Sequence, residues 1–496
     1  MVKTKNDPKN VKIYSHHYLI RLTKPHLANM VIELSVHDLI RQQDVDRQSA
    51  QISELQAQIA IQQSQIAALQ KNSSNSSKPP SSDMPSAPDR KHNNSRKSSG
   101  KKPGGQLGHK GITLQPVDSP DDTIECVPTD CENCGVLLDG QTAPPQLLSV
   151  TQVKDIPPIE PTITEYHQFA RTCACGHTTI GILPDGITPN DGGIQIGPNA
   201  SSFLVYLNTA HHIPYDRLGI VSRDIFNFPL SVGTIANKLE KAAVAAVPVA
   251  KKILTFLHSS KWVGSDETGV RVAGKRIWQW IWQNAGASYY VVSLKRDYQT
   301  VKDHFGENFL GVLIHDCLGA QNKTKALAHQ LCHAHLLRDL QFIIDAGLGD
   351  MAWAYKMQRL LLCSQRARDH SWAEGFASAL RQTIQADYLR RLDNMIEVPV
   401  ASKAAIKLRN RFRKHKDKIL YFMSDPDIPP DNNGSERAVR PAKTKQKVSG
   451  GFRSNRGADR HALLLSVIET AKKQDLNVLE TIKKLLSGED VVLFRG

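Results

Sequence analysis

The stretch from 261 to 320 decides the fold: KWVGSDETGVRV (261–272), RIWQWIWQNA (276–285), SYYVVSLK (288–295) and FLGVLIHDCLGA (309–320). Each is a short run rich in β-branched and aromatic residues, the pattern of a strand with much of its surface buried. Three strands in close succession and a fourth carry Asp266 near the end of the first and Asp316 at the end of the fourth, 50 residues apart. One Asp closing a strand is ordinarily a cap or turn residue. Two of them at the mouths of apolar strands in one sheet stand together at its edge, where carboxylates chelate a hard cation.

A two-metal site, with ions roughly 3.5–4 Å apart, requires more oxygen ligands than two acids supply. Glu436 is the candidate third acid. It falls in PPDNNGSERAVRPAKTKQKVSGGFRSNRG (429–457), where Asp431, Asn432 and Asn433 read as a helix start. Arg437, Arg440, Lys443, Lys445, Lys447 and Arg453 follow it. Residues 403–456 hold 15 Lys or Arg against 5 Asp or Glu. A carboxylate in so basic a stretch is either an ion-pair partner or a metal ligand flanked by phosphate clamps.

Further out, LSVGTI (230–235) follows a break at Phe228-Pro229, with Ser231 placed as an N-cap. Two helices at a tight angle are predicted, compatible with a helix-turn-helix or with plain scaffolding. Upstream, C-E-N-C-G at Cys131 and Cys134 and C-A-C-G at Cys173 and Cys175 form two cysteine knuckles. Four thiolates suit a closed structural zinc site, with His177 as a substitute ligand for the tight second knuckle, or the knuckles are reduced turns that bind nothing. The sequence between them alternates like strands, predicting a small β ribbon. Residues 72–112 are rich in Ser, Asn, Pro, Gly and Lys, a flexible basic linker. Before it, Val45, Ile52, Ile59 and Ile66 at heptad position a, with Gln48, Leu55, Gln62 and Leu69 at d, predict a coiled coil that pairs subunits through a seam weakened by the two Gln, the alternative being a surface helix that packs on its own domain.

With 496 residues the chain exceeds one compact core, so several domains are expected. The formal net charge of +15 points toward a polyanion such as nucleic acid. Eight cysteines give no disulfide framework. The longest nearly uncharged apolar run, 242–250, is too short to cross a bilayer, and no apolar segment follows the basic N-terminus, so the expected location is the cytoplasm.

DETG (266–269), His315-Asp316, LCHAHLLRDL (331–340) and NNGSER (432–437) through KVSGGFRS (447–454) resemble the successive signatures of transposases of the insertion sequence sixty-six family. NSSKPPSSD (75–83), GGQLGHKG (104–111), the cysteine ribbon and LSVGTI stand in the order that family uses; Gln321 stands where its pattern has a Tyr. The resemblance implies an RNase H-like catalytic core interrupted by a helical insertion, with an acidic DDE triad carried here by Asp266, Asp316 and Glu436. It implies two Mg²⁺ or Mn²⁺ ions, and DNA ends and target DNA as partners, with accessory proteins of the same element as further candidates. His335 and Arg338 share a helix face that could approach substrate, and His333 reads as packing. The rival readings are a nuclease that cuts without joining and a DNA-binding regulator or inactivated transposase.

The expected fold class is multidomain α/β. Its parts are an N-terminal tail (1–30), a coiled coil (31–71), the linker (72–112), a zinc ribbon (113–185) and a helix-turn-helix-like helical region (186–258). The first part of the core (259–325), the helical insertion (326–425), the second part of the core with the Glu436 helix (426–480) and a C-terminal tail (481–496) complete it.

Overall fold

The computed structural model describes residues 23–69, 71, 72, 75, 108, 114–138, 144–184, 187–189, 193–347 and 349–494. Residues 1–22 of the expected N-terminal tail lie outside them, as does nearly all of the basic linker, while 24–30 belong to the first helix. The chain divides into two units, one formed by 1–91, 335–360 and 392–414 and the other by 92–334, 361–391 and 415–496.

The elements run α1 (Lys24–Leu69), β1 (Ala170–Thr172), β2 (Thr178–Ile180), α2 (Pro198–Val205), α3 (Tyr215–Phe226) and α4 (Val232–His258). Then come β3 (Trp262–Val272), β4 (Lys275–Gln283), β5 (Ser288–Ser293), α5 (Tyr298–His304), β6 (Asn308–His315), α6 (Gly319–Asn322) and β7 (Lys325–Leu331). Four helices follow: α7 (His333–Asp345), α8 (Met351–Ala373), α9 (Ser378–Glu397) and α10 (Lys403–Lys414). The chain closes with α11 (Asn433–Ala438), α12 (Arg440–Ser449), α13 (Asn455–Lys473) and α14 (Val478–Ser487).

The larger unit is built on a five-stranded mixed sheet in the order β5-β4-β3-β6-β7. β3, β4 and β5 form an antiparallel meander, while β6 runs parallel to β3 and β7 parallel to β6. The apolar run of β6 matches its position, because a parallel strand is covered on both faces. Trp280 and Trp282 on β4 are fully buried, and Trp282 stacks on Phe305 at 5.3 Å between centroids. Truncating a side chain so placed costs about 3–5 kcal/mol. The outer edge of β5 is closed by α13, whose Ser466 and Thr470 hydroxyls accept the amides of Tyr290 (2.9 Å) and Ser288 (3.1 Å). Ser231 caps α4 as its position in the sequence predicts, its Oγ accepting from Thr234 N at 3.0 Å.

Several expectations are corrected. The boundary drawn at 326 cuts through β7, since KALAHQL is the fifth strand and the helices begin only at His333. The last segment is no tail: Ile482, Leu485, Val491 and Leu493 are buried in the main core, and Phe494 stacks on Phe256 at 4.0 Å. Among the described residues, the only paired strands near the knuckles are β1 and β2, joined as a hairpin, besides an isolated bridge between Asp130 and Leu137. The apolar side chains expected to build more of a ribbon, such as Leu148 and Val153, are exposed, and three prolines at 157, 158 and 161 remove ladder donors.

In the smaller unit α1 is one continuous helix of 46 residues, starting seven residues before the predicted coil. Its heptad residues Val45, Ile52, Leu55, Ile59 and Ile66 are all about half exposed. In the same unit Asp350 accepts the amides of Ala401 (3.0 Å) and Ser402 (2.7 Å), and Trp353 donates to the Met395 carbonyl at 2.9 Å.

Candidate active site

The spacing of the two aspartates is the register of the sheet. β3 and β6 pair Trp262 with Val312 and Gly264 with Ile314, an offset of 50 in each case (312 − 262, 314 − 264). Asp266 and Asp316 differ by the same 50, so they come side by side where β6 ends. Asp266 itself sits inside an 11-residue strand rather than near its end.

The structure adds an acid to which the sequence reading assigned no role. Carboxylate oxygens of Asp266, Glu267 and Asp316 lie within 4.8 Å of one another. Glu267 pairs with the Arg296 guanidinium, whose Nε donates at 2.9 Å, and accepts from Gln321 Nε2 at 3.3 Å. Arg296 in turn lies over the Trp278 ring, 4.7 Å from its centroid. Burial, and then the negative charges of Glu267 and Asp316, hold the Asp266 carboxyl well above its usual range. Burial and Asp316 likewise push Glu267 up to about 7, against the pull of Arg296. Three carboxyls so close cannot all ionise cheaply without a counter-charge. This donor set fits a hard divalent cation. The signal in the sequence was adjacency: Glu267 follows Asp266 directly, but alternation along a strand argues against two neighbours sharing a site.

Glu436 stands in the first turn of α11 as predicted, and its charge adds to the upward push on Asp266. A carboxylate oxygen of Glu436 lies within 4.8 Å of Cys332 Sγ. What seats α11 is a buried polar chain. Asn432 Nδ2 donates to the Ser265 carbonyl at 2.7 Å, Ser435 Oγ to Asn432 Oδ1 at 2.6 Å, and Gln283 Nε2 to Ser435 Oγ at 3.1 Å. Lys473 Nζ closes it on Gln283 Oε1 at 2.8 Å, its ammonium pushed down to about 7 by burial. The chain passes over Gly264, where a methyl group would meet Asn432 Oδ1 at 2.5 Å and Ser435 Oγ at 2.7 Å.

The basic residues divide. Arg437, Arg440, Lys447 and Arg453 are exposed. Lys443 is half-buried, its Nζ donating to the Gly269 carbonyl at 2.9 Å. Lys445 is buried inside the fold beside the Asn208 carbonyl, which removes it from the surface where a phosphate clamp was expected; burial and Arg460 push its ammonium down to about 8. A break at Val439 separates α11 from α12, with Pro441 in the first turn of α12. His335 and Arg338 lie on α7, both partly buried, and His333 packs as read, its Nε2 on the Ile419 carbonyl at 2.7 Å.

Each knuckle is a tight turn with a left-handed glycine, Gly135 or Gly176. Backbone amides and the neighbouring thiol of Cys134 lower the Cys131 thiol, and the amide and thiol of Cys175 lower Cys173. Among the described residues no cluster of three or more metal-ligand side chains includes Cys131, Cys134, Cys173 or Cys175. His177 contributes its carbonyl to the Cys173 amide at 2.9 Å.

A family model described as "Transposase IS66 family" matches residues 193–460, and one described as "Family of unknown function (DUF6444)" matches 22–115. Two curated relatives come from Sinorhizobium fredii (strain NBRC 101917 / NGR234). The uncharacterized protein y4hP is 22% identical over 319 residues, 57% of this chain and 57% of that protein. The uncharacterized protein y4jO is 27% identical over 168 residues, 29% of this chain and 52% of that protein. The chain thus spans about half the length of the curated relatives it matches.

Proposed function

The chain belongs to the Transposase IS66 family, and from that premise we propose that it cuts the ends of an insertion element and joins them to target DNA. The meander followed by parallel strands is read as an RNase H-like core, with the helices from His333 onward as its insertion. The observation that carries the reading is the convergence of Asp266, Glu267 and Asp316, with the charge of Glu436 felt at Asp266. In this reading Asp266, Asp316 and Glu436 hold two Mg²⁺ or Mn²⁺ ions, and Glu267 adds negative charge to the same pocket.

Bound there, such ions lower the pKa of water and neutralise charge on the phosphate oxygens. The residues of the chain do the rest. The acids hold their carboxylates at the end of β6, and the chain through Asn432, Ser435 and Gln283 fixes the helix that carries Glu436. The exposed Arg437, Arg440, Lys447 and Arg453 grip phosphates on either side. Water attacks the phosphorus at the element's end and breaks its bond to the 3′ oxygen. The freed 3′-hydroxyl then attacks a target phosphorus and displaces the target's 3′ oxygen. No covalent enzyme intermediate is required.

The two knuckles supply soft thiolate donors at Cys131, Cys134, Cys173 and Cys175 for a structural zinc ion. The α1 helix is read as a coiled coil that brings two subunits, and so two ends, together. The test is the full chain with end DNA and magnesium. Asp266→Asn and Glu436→Gln are expected to bind DNA but yield neither nicked nor joined product. Retained cleavage and joining would remove the altered acid from the site.

A further inference from the structure

Behind the acids lie two histidines whose ring nitrogens can be assigned one by one. His315 is the last residue of β6, fully buried and directly before Asp316. The Cys317 amide donates to His315 Nδ1 at 3.3 Å, so that nitrogen carries no proton and Nε2 does. His315 Nε2 stands 2.9 Å from His329 Nδ1 on β7, which therefore accepts. The His329 proton is left on Nε2, 3.1 Å from the Thr324 carbonyl that receives it. One direction of donation satisfies all three contacts, and it requires both rings to be neutral.

The turn that this chain of hydrogen bonds reaches is a strained one. Cys317 has φ 71°, a left-handed conformation that is unfavourable for a residue with a Cβ. On its far side the Leu318 amide donates to Asp316 Oδ1 at 3.3 Å. The conformation persists because neighbours over-determine it. If the acceptor at His329 is removed, His315 is free to move its proton to Nδ1. That N–H would then face the Cys317 N–H, donor against donor, and the turn holding Asp316 loses that hydrogen bond.

We propose that His315 and His329 form a positioning relay that fixes the Asp316 carboxylate for cation binding. The proposal rests on the reading of Asp316 as a cation ligand. Neither histidine is a catalytic residue here, since each acts through the Cys317 turn.

The experiment measures Mn²⁺ binding to the full chain without DNA, by the loss of the free ion's paramagnetic resonance signal, with thermal unfolding recorded for every variant. His329→Asn places an amide oxygen near the position of Nδ1 and keeps the acceptor for His315. His329→Gln extends to the position of Nε2, keeping a partner for Thr324 but leaving His315 without its acceptor. The Gln variant is expected to bind Mn²⁺ about tenfold more weakly, as outer-shell partners of metal ligands do when altered, and the Asn variant within about twofold of native. Equal affinities for the two variants, whether native or weakened, overturn the relay. Asp316→Asn separates the premise from the proposal. If it loses Mn²⁺ binding while the two amide variants agree, only the relay fails. If it binds as native, the acid cluster itself is misread and the relay falls with it.

Discussion

Replacing Gly264 by alanine drives a methyl group into the contact that seats the Glu436 helix. The added carbon would stand 2.5 Å from Asn432 Oδ1, 2.7 Å from Ser435 Oγ and 2.9 Å from Gln283 Nε2, three buried groups linked in a chain of hydrogen bonds through Ser435 Oγ. Overpacking of this kind costs about 1–3 kcal/mol, and one displaced hydrogen bond adds about 1 kcal/mol. A local loss of about 2–4 kcal/mol is expected, or roughly 30- to 1000-fold in the opening equilibrium of α11. Two amides report it directly, Glu436 N on the Asn432 carbonyl (3.1 Å) and Val439 N on the Ser435 carbonyl (3.0 Å). Native-state hydrogen exchange should show both accelerated in Gly264→Ala while amides within α13 stay protected, with end cleavage reduced in parallel. Exchange at Glu436 and Val439 within about threefold of native would refute the packing argument.

The remaining tests are shorter. His333 and His461 are buried, and burial pushes their folded pKa values down to about 4 and about 3. Each therefore binds fewer protons folded than unfolded, so stability falls as pH drops below about 6.5 and levels off only beneath those folded values. Each costs about 2 kcal/mol at pH 5 relative to pH 8. Because Glu267, pushed up to about 7, changes stability the opposite way over this range, the check is by variant: the fall in urea midpoint from pH 8 to pH 5 should shrink in His333→Gln and in His461→Gln, and an unchanged fall would contradict the burial of neutral rings. Ile52→Glu with Ile59→Glu, two half-exposed seam residues of α1, should convert a dimer to a monomer in sedimentation. A native chain that already sediments as a monomer ends the coiled-coil reading. Purified protein should carry about one zinc per chain, lost in Cys131→Ser with Cys134→Ser; native protein free of zinc removes the metal from the ribbon.

Local patterns were legible because they are written in neighbouring residues. The four strands from 261 to 320 showed their apolar runs, Ser231 showed its cap, and the helices after His333 showed their composition. Glu267 was not legible as part of the acid cluster, since period-two alternation assigns it to the face opposite Asp266, whereas its carboxylate lies within 4.8 Å of those of Asp266 and Asp316. Lys445 looked like its basic neighbours, yet the turn of α12 carries it inward while Lys447 stays outside. Residues 481–496 are not a tail: they continue α14 and enter a core shared by the nearby Leu464 and Ile468 of α13 and by Leu239 and Ile253 of α4, more than 200 positions away, and that second partner is what a local pattern does not show.

The sequence by itself determined the four strands between 261 and 320, the capped helix at Ser231, and the 50-residue spacing that a parallel register between β3 and β6 turns into adjacency. Such choices depend on side-chain period and turn chemistry, which act over a few residues. Tertiary structure alone decided that Glu267 joins the aspartates, that Gly264 must lack a side chain, and that His329 stands behind Asp316. Those outcomes depend on distances between groups remote along the chain, and a distance of that kind exists only once the sheet has formed and its neighbours have packed against it.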